Sequence, residues 1–424
     1  MKRLRFIALA LLAIVAAQLG TPGDSRAGGH RGGPPDDYVA HWDAVASEAF
    51  AASGLTAAEG HVIFAYQAIA VYDSVIAVKG GYRPFAIAAH APRGASAEAA
   101  VAAASHRILT HHLPAQRPAI LDPAYEASLA TIADGKAKRR GVATGEKVAA
   151  LLIARRAHDG FRAHVPYNPP YPPIPGVWLP TAPTPAIGTY LGLMRPFSLK
   201  SPSRFRPDGP PALASRRWAR DYQEVAEVGS STSTTRTAEQ SLAARFWAEP
   251  PVQQAHASYR TLVHDRALDV VQAARLLAMV SVTYADALIA CFDAKYRYAF
   301  WRPVTAIRAG GTDGNRETEG DPTWSPLLGT PNHPEYPSAH ACVVPATGHA
   351  IAAFLRTHRI DFTVPSVTGL GDRRFATVRH LQDEVTNARV WGGIHYRSSI
   401  DDGVVIGRRT ARHVLSHHFQ RTRW

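Results

Sequence analysis

The chain has 424 residues, of which 46% are hydrophobic and 19% charged, with a formal net charge of +13. This composition excludes a largely disordered protein, and the length suffices for one large domain or two smaller ones. A basic excess suits nucleic acid, an anionic membrane or an anionic substrate. Because no basic run carries interleaved aromatic residues, we expect no nucleic-acid partner.

The N-terminus predicts a secretory signal peptide that ends at Ala27. Lys2, Arg3 and Arg5 form its basic start, and an apolar run follows over residues 6–17. A retained membrane anchor is the alternative, but this run is shorter than the ~20 residues of a spanning helix. We therefore expect an exported protein, periplasmic or extracellular, with no membrane span in the mature chain.

Helix signals dominate the remaining sequence, and no sustained period-two alternation requires a sheet. Thr56 and Thr237 each open a capping box, which predicts helices that run to Val78 and to Ala248. Further helices are predicted over residues 96–112, 144–158 and 268–301, and after Ser338 with a bend at Pro345.

Residues 166–211 contain 14 of the 32 prolines, which excludes regular helix there. A flexible linker is the usual interpretation of such a segment. Its aromatic residues, among them Trp178 and Tyr190, are too apolar for a loose tether, so we predict an ordered arm. The sequence thus predicts an all-α protein with an N-terminal helical region (28–165), a Pro-rich arm (166–215) and a core helical bundle (216–424).

The first segment whose residues could form a functional site is KYRYAFWRP, residues 295–303. Lys295 and Arg302 are seven residues apart, so on one helix they point in similar directions. Pro303 should end that helix at Arg302, where a cation meets a favourable helix dipole. The alternative is a pair of surface cations in ordinary ion pairs.

The second segment is HPEYPSAH, residues 333–340. Ser338 stands where a helix N-cap belongs, and a helix start offers free N–H groups and a positive dipole to an anion. His340 could reach the same anion. A plain serine cap with an incidental histidine is the alternative.

The third segment is RVWGGIH, residues 389–395. Paired glycines, here Gly392 and Gly393, let the backbone approach a ligand closely. Arg389 and His395 would then face the same small space. The alternative is a helix break between two unrelated polar residues.

In this order, the three segments resemble the signature of a superfamily that joins type 2 phosphatidic acid phosphatases, soluble acid phosphatases and vanadium-dependent haloperoxidases. Four local contexts are similar to its soluble bacterial haloperoxidase-like branch: residues 285–287, 300–303, 332–334 and 392–395. The resemblance covers most of the mature chain.

The resemblance implies a role for each matching position. The oxyanion, vanadate or phosphate, would be bound by Lys295, Arg302, Ser338, Ala339, Arg389 and Gly393. His395 would be the apical group, which ligates vanadium if vanadate is bound, and His340 would be the acid–base on the opposite side.

The sequence departs from the family pattern at three positions. Ala339 replaces the usual glycine, but the backbone N–H is retained. Ala388 stands where serine is usual. Ser399 stands where the family often has an aspartate that orients the last histidine, and either Asp401 or Asp402 could replace it.

The resemblance implies an enzyme with a vanadate cofactor that oxidises halide with peroxide. An acid phosphatase that acts through a phosphohistidine, with no cofactor, is the alternative. An exported helical binding protein with a decayed site is the alternative from another class, because of Ser399 and Ala339. Cys291 and Cys342 form no disulfide framework, and a single bridge or two buried free thiols remain open.

Overall fold

Thirteen helices carry the described part of the chain, residues 37–422 of a computed structural model. The predicted signal peptide lies outside these residues. The helices are α1 Tyr38–Ala51, α2 Ala57–Lys79, α3 Ala97–His112, α4 Asp122–Ala130, α5 Lys136–Arg156, α6 Arg216–Val228, α7 Ala238–Phe246, α8 Pro251–Asp265, α9 Val270–Tyr298, α10 Pro303–Arg308, α11 Ala339–Leu355, α12 Val378–Trp391 and α13 Arg397–His417.

Helix α9 lies at the centre of the fold because it is apolar around nearly its whole circumference. Helices α2, α11 and α13 pack against it, α3 packs on α2, and α5 packs on α3. Helices α2 and α9 are long and apolar enough to cross a membrane, but 89% and 100% of their most apolar stretches are buried within the protein. Both are therefore core helices here, and the all-α prediction is confirmed.

The sequence located several helix starts correctly. Thr56 and Thr237 form complete capping boxes at α2 and α7, and Ser96 caps α3. The helix predicted from residue 144 is longer than expected, because α5 begins at Lys136.

The end of α9 differs from the prediction. The helix ends at Tyr298 because Ala299 adopts a left-handed conformation with φ 43°. Arg302 is instead the N-cap of α10, with Pro303 at the first helical position. The favourable dipole predicted for Arg302 is therefore wrong, whereas Lys295 does lie in the last turn of α9.

The Pro-rich arm is ordered, as predicted. Two buried polar side chains of the core hold it. Asp286 accepts hydrogen bonds from the N–H groups of Phe197, Ser198 and Leu199 at 2.7–2.9 Å. Asn332 accepts from Thr181 N–H at 2.9 Å and donates to a nearby carbonyl. The arm thus reaches the second motif segment.

One antiparallel hairpin was not predicted. Strand β1 spans Arg359–Val364 and pairs with β2, Arg373–Thr377. The alternation of β1 involves only Ile360, Phe362 and Val364, which is too short a pattern to identify a strand by period alone.

Candidate functional site

Buried Lys295 holds the loop that precedes α11. Its Nζ donates to the carbonyl oxygens of Pro334, Glu335 and Pro337 at 2.9, 2.9 and 2.5 Å. An ammonium group has three protons, so its donor capacity is filled. Burial lowers the pKa of Lys295 to about 8, which leaves the ammonium charged at neutral pH.

Buried Arg302 joins the second and third segments. Its Nε donates to the His333 carbonyl at 3.0 Å and its Nη1 to the Ile394 carbonyl at 2.8 Å. Lys295 and Arg302 therefore converge on one loop, but not by helical periodicity, since α9 ends between them. The prediction that helical spacing aligns the two cations is wrong, although they do lie close together.

His395 is fixed by a carboxylate that the sequence reasoning missed. Its Nδ1 lies 2.7 Å from Oε1 of Glu335, which also accepts from Tyr396 N–H at 3.0 Å. When Glu335 is ionised it can only accept, so Nδ1 then carries the proton and Nε2 keeps a lone pair. Burial, followed by the charge of Arg302, holds the pKa of His395 well below its usual value, so the ring is neutral.

Glu335 takes the orienting role that was expected of Asp401 or Asp402. Asp402 instead accepts a hydrogen bond from Tyr336 at 2.8 Å, and Asp401 is exposed. Ser399 is fully buried, and its carbonyl accepts from Ser338 N–H at 3.1 Å. Burial raises the pKa of Glu335 to about 7, against the opposing charges of Arg302 and Lys295. The only sequence signal was an acidic residue within an otherwise apolar loop.

A cavity of about 540 Å³ opens beside these residues. Four of the predicted site residues line it: Ala339, His340, Arg389 and His395. Lys295, Arg302 and Ser338 have no exposed surface and lie outside its lining. The structure thus brings the three segments together, but four of these residues line the cavity and three are fully buried beside it.

His340 and Arg389 share one backbone acceptor, the carbonyl of Trp247. Arg389 Nη1 donates to it at 2.6 Å, and His340 also bonds to it. Burial, followed by the charge of Arg389, holds the pKa of His340 well below its usual value. His340 is therefore a neutral imidazole beside a guanidinium, and one of its ring nitrogens keeps a lone pair.

Ser338 Oγ and Arg389 Nε are among the buried polar atoms near the cavity that find no hydrogen-bond partner within residues 37–422. Ser338 occupies the N-cap position of α11, as predicted, but its side chain makes no capping bond. Unsatisfied buried donors are costly and rare in native proteins. Donors of this kind, next to cations and a helix start, fit a bound oxyanion.

Gly393 has a packing reason for being glycine. Its φ is 73°, and a Cβ there would lie 2.3 Å from the Gly229 carbonyl oxygen. Close approach of α6 to the 392–393 turn therefore accounts for this residue without a ligand. Its assignment to oxyanion binding stays a prediction.

The two cysteines are free and buried. Cys291 Sγ donates to the Pro337 carbonyl at 3.6 Å, and Cys342 lies within hydrogen-bond reach of Cys291. The thiols therefore lie behind the loop that Lys295 holds. No cluster of three or more metal-ligating side chains occurs within the described residues.

Comparison with known proteins relates part of the chain to vanadium haloperoxidases. Residues 275–423 match the family described as the VCPO second helical-bundle domain. Vanadium chloroperoxidase of Curvularia inaequalis is 38% identical over 78 residues, which is 16% of this chain and 12% of that protein.

Solved structures resemble nearly the whole chain. The crystal structure of a bacterial vanadium-dependent iodoperoxidase gives a TM-score of 0.78 at 24% identity, over 91% of this chain and 96% of that chain. A holo-type bacterial vanadium-dependent chloroperoxidase gives 0.68 at 19% identity, over 91% and 97%. At these identities the likeness shows the fold.

Fold and site together define an all-α protein with the haloperoxidase architecture and a histidine–arginine cavity at one end of its core helices. Residues 275–423 thus resemble a domain of the haloperoxidase family, and the chain has the fold of the bacterial vanadium-dependent haloperoxidases.

Proposed function

We propose that this chain is an exported vanadium-dependent haloperoxidase, which binds vanadate and oxidises a halide with peroxide. One observation carries the proposal. The Glu335 carboxylate fixes the Nδ1 proton of His395, so Nε2, which lies 3.4 Å from Arg302 Nη1, keeps its lone pair beside a cavity that Arg389 also lines. A neutral imidazole nitrogen in this position suits ligation of the metal centre of an oxyanion.

The residues present fit vanadate. Ser338 Oγ and Arg389 Nε are the free donors, and Ala339 supplies an N–H in the first turn of α11. Lys295 and Arg302 lie outside the cavity lining and would contribute mainly charge. The Lys295 ammonium is used by backbone carbonyls, and Arg302 bonds two backbone carbonyls and contacts the rings of His333 and His395. Bound vanadate would supply the Lewis-acid centre that activates peroxide.

His340 would move the proton that this reaction requires. A neutral imidazole accepts a proton from peroxide and can return it to the leaving oxygen. Burial, followed by the charge of the adjacent Arg389, keeps His340 neutral in the resting protein by lowering its pKa. Relatives named as an iodoperoxidase and chloroperoxidases support a halide as the second substrate.

The test is metal analysis and turnover after vanadate loading. We expect about one vanadium per chain and peroxide-dependent oxidation of iodide, the halide that gives up an electron most readily. Bromination of monochlorodimedone then tests bromide. His395→Ala should lose bound vanadium, and His340→Ala should retain it while losing turnover by about 10²–10⁴-fold.

Acid phosphatase activity is the second candidate, because the same Nε2 lone pair can attack phosphorus. Release of p-nitrophenol from its phosphate, inhibited by orthovanadate and lost in His395→Ala, without any halide oxidation, would favour it over the haloperoxidase.

The position of Glu335 removes the main reason for the hypothesis of a decayed site. The carboxylate missing at Ser399 is supplied from residue 335, and Ala339 retains its N–H. Export stays a part of the proposal, and the mass of the secreted chain tests whether cleavage occurs after Ala27.

A further inference from the structure

His61 is a fourth histidine of the cavity and has no role in the proposed reaction. It lies on α2 and lines the same cavity as His333, His340 and His395. Its ring stacks on Tyr284 with centroids 3.7 Å apart and is 4% exposed. Its Nε2 is buried and finds no hydrogen-bond partner within the described chain.

His61 does not add positive charge for the oxyanion. Burial, followed by the charge of His256, holds its pKa well below the usual value. Two of its neighbours carry no charge: Tyr284 is stacked on it, and His340 is also held neutral. Nε2 is therefore a buried polar atom without a hydrogen-bond partner. In a histidine with a purely structural role in the core, this atom would normally be hydrogen-bonded.

The surrounding wall is apolar and the space is large. Its apolar side chains come from the arm, from α9 and α11, and from two loops: Ile187, Leu288, Phe292, Leu328, Val343 and Ile394. A volume of about 540 Å³ lies in the range of small-molecule sites. Halide and peroxide are each close to the size of a water molecule, about 30 Å³, and would fill little of it.

We infer that the cavity binds an aromatic alcohol, with its ring against the apolar wall and its hydroxyl hydrogen-bonded to Nε2 of His61. The role of this molecule rests on the proposed function. With hypohalous acid, its C–H bond breaks, a C–X bond forms, and the oxygen leaves as water with the released proton. In a phosphatase, the same aromatic alcohol would be the leaving group of the ester.

Equilibrium dialysis of the vanadate-free protein tests the binding directly. The probes are 2-naphthol and naphthalene, which differ by the hydroxyl group. His61→Phe keeps the stack on Tyr284 and removes the nitrogen. This substitution should weaken the binding of 2-naphthol about tenfold and leave the binding of naphthalene unchanged. His61→Gln, which restores a polar group near Nε2, should recover most of the difference.

Exposed His158 provides the matched control, because His158→Phe should change neither probe. Equal loss of both probes in His61→Phe would mean a steric effect and would overturn the inference. Failure of the wild type to bind 2-naphthol would also overturn it. Tungstate affinity, measured in parallel, separates the two proposals: its absence counts against the proposed function and leaves the 2-naphthol result to decide the inference.

Discussion

The two sides of the predicted oxyanion site differ in how their donors are used. On the α9 side, Lys295 gives all three protons to the loop at residues 334–337. On the α12 side, Arg389 makes one bond to Trp247 and keeps a buried Nε without a partner in the described structure. Membership in one signature therefore does not imply one role.

The difference teaches that a buried cation can serve a site without touching its ligand. Lys295 shapes the loop that carries Glu335, and Glu335 orients His395. Arg389 and Ser338 keep donors for the anion itself. We call the first group supporting and the second anion-facing, and the predictions below test this division.

The largest expected effect is on stability. Lys295→Met leaves three buried carbonyls without a donor, so we expect a loss of about 3–5 kcal/mol in the free energy of unfolding. Arg389→Met removes one hydrogen bond to the Trp247 carbonyl and should cost about 1–2 kcal/mol. Urea unfolding of both variants measures the difference.

Tungstate affinity should rank the same variants in the opposite order. Arg389→Met should bind tungstate about a hundredfold more weakly, because a charged donor of the anion is lost. If Lys295→Met were as stable as the wild type and failed to bind tungstate, Lys295 would contact the anion and the division would be wrong.

The second prediction concerns Glu335 as a positioning residue. Glu335→Leu should weaken tungstate binding about 10–100-fold, as is typical when an orienting partner of a ligating histidine is lost. Glu335→Gln keeps an acceptor for Nδ1 and should lose less. Asp402→Asn, a nearby carboxylate that bonds Tyr336, is the matched control.

The tautomer of His395 provides a specific test, because it would not change if Glu335 had only a structural role. Nitrogen NMR of histidine-labelled protein, with His395→Ala to assign the signal, should show Nδ1–H in the wild type and a mixture in Glu335→Leu. An unchanged tautomer in Glu335→Leu would show that the carboxylate does not fix it.

Local signals explain how much of this could be predicted. Capping boxes at Thr56 and Thr237 identified helix starts because they depend on residues three apart. The end of α9 depends on a left-handed Ala299, which no residue preference signals. The β1–β2 hairpin was missed for a similar reason: its alternating pattern is short.

The sequence predicted which residues lie close together around the cavity better than it predicted their contacts. Family spacing brought together His340, Arg389 and His395. The pairing of Glu335 with His395 spans 60 residues, and that of His61 with the cavity depends on how α2 packs on α9. Such contacts follow from tertiary packing, which a single sequence does not display.

The smallest expected effect is a pH dependence of anion binding. The pKa of Glu335 is raised to about 7 and that of Lys295 is lowered to about 8. As pH rises, Glu335 first gains a negative charge and Lys295 then loses a positive one. Both steps should therefore weaken the binding of an anion. Each should reduce tungstate affinity about fivefold, for a charge interaction of about 1 kcal/mol.

Dilute tungstate is suitable because it keeps its dianionic charge across this pH range, whereas phosphate and vanadate titrate. Calorimetry from about pH 6 to about pH 9 should show two limbs, near the two pKa values. Glu335→Gln should remove the lower limb and leave the upper one. A flat profile in the wild type, or a lower limb that persists in Glu335→Gln, would show that these two supporting residues do not set the charge that the anion meets.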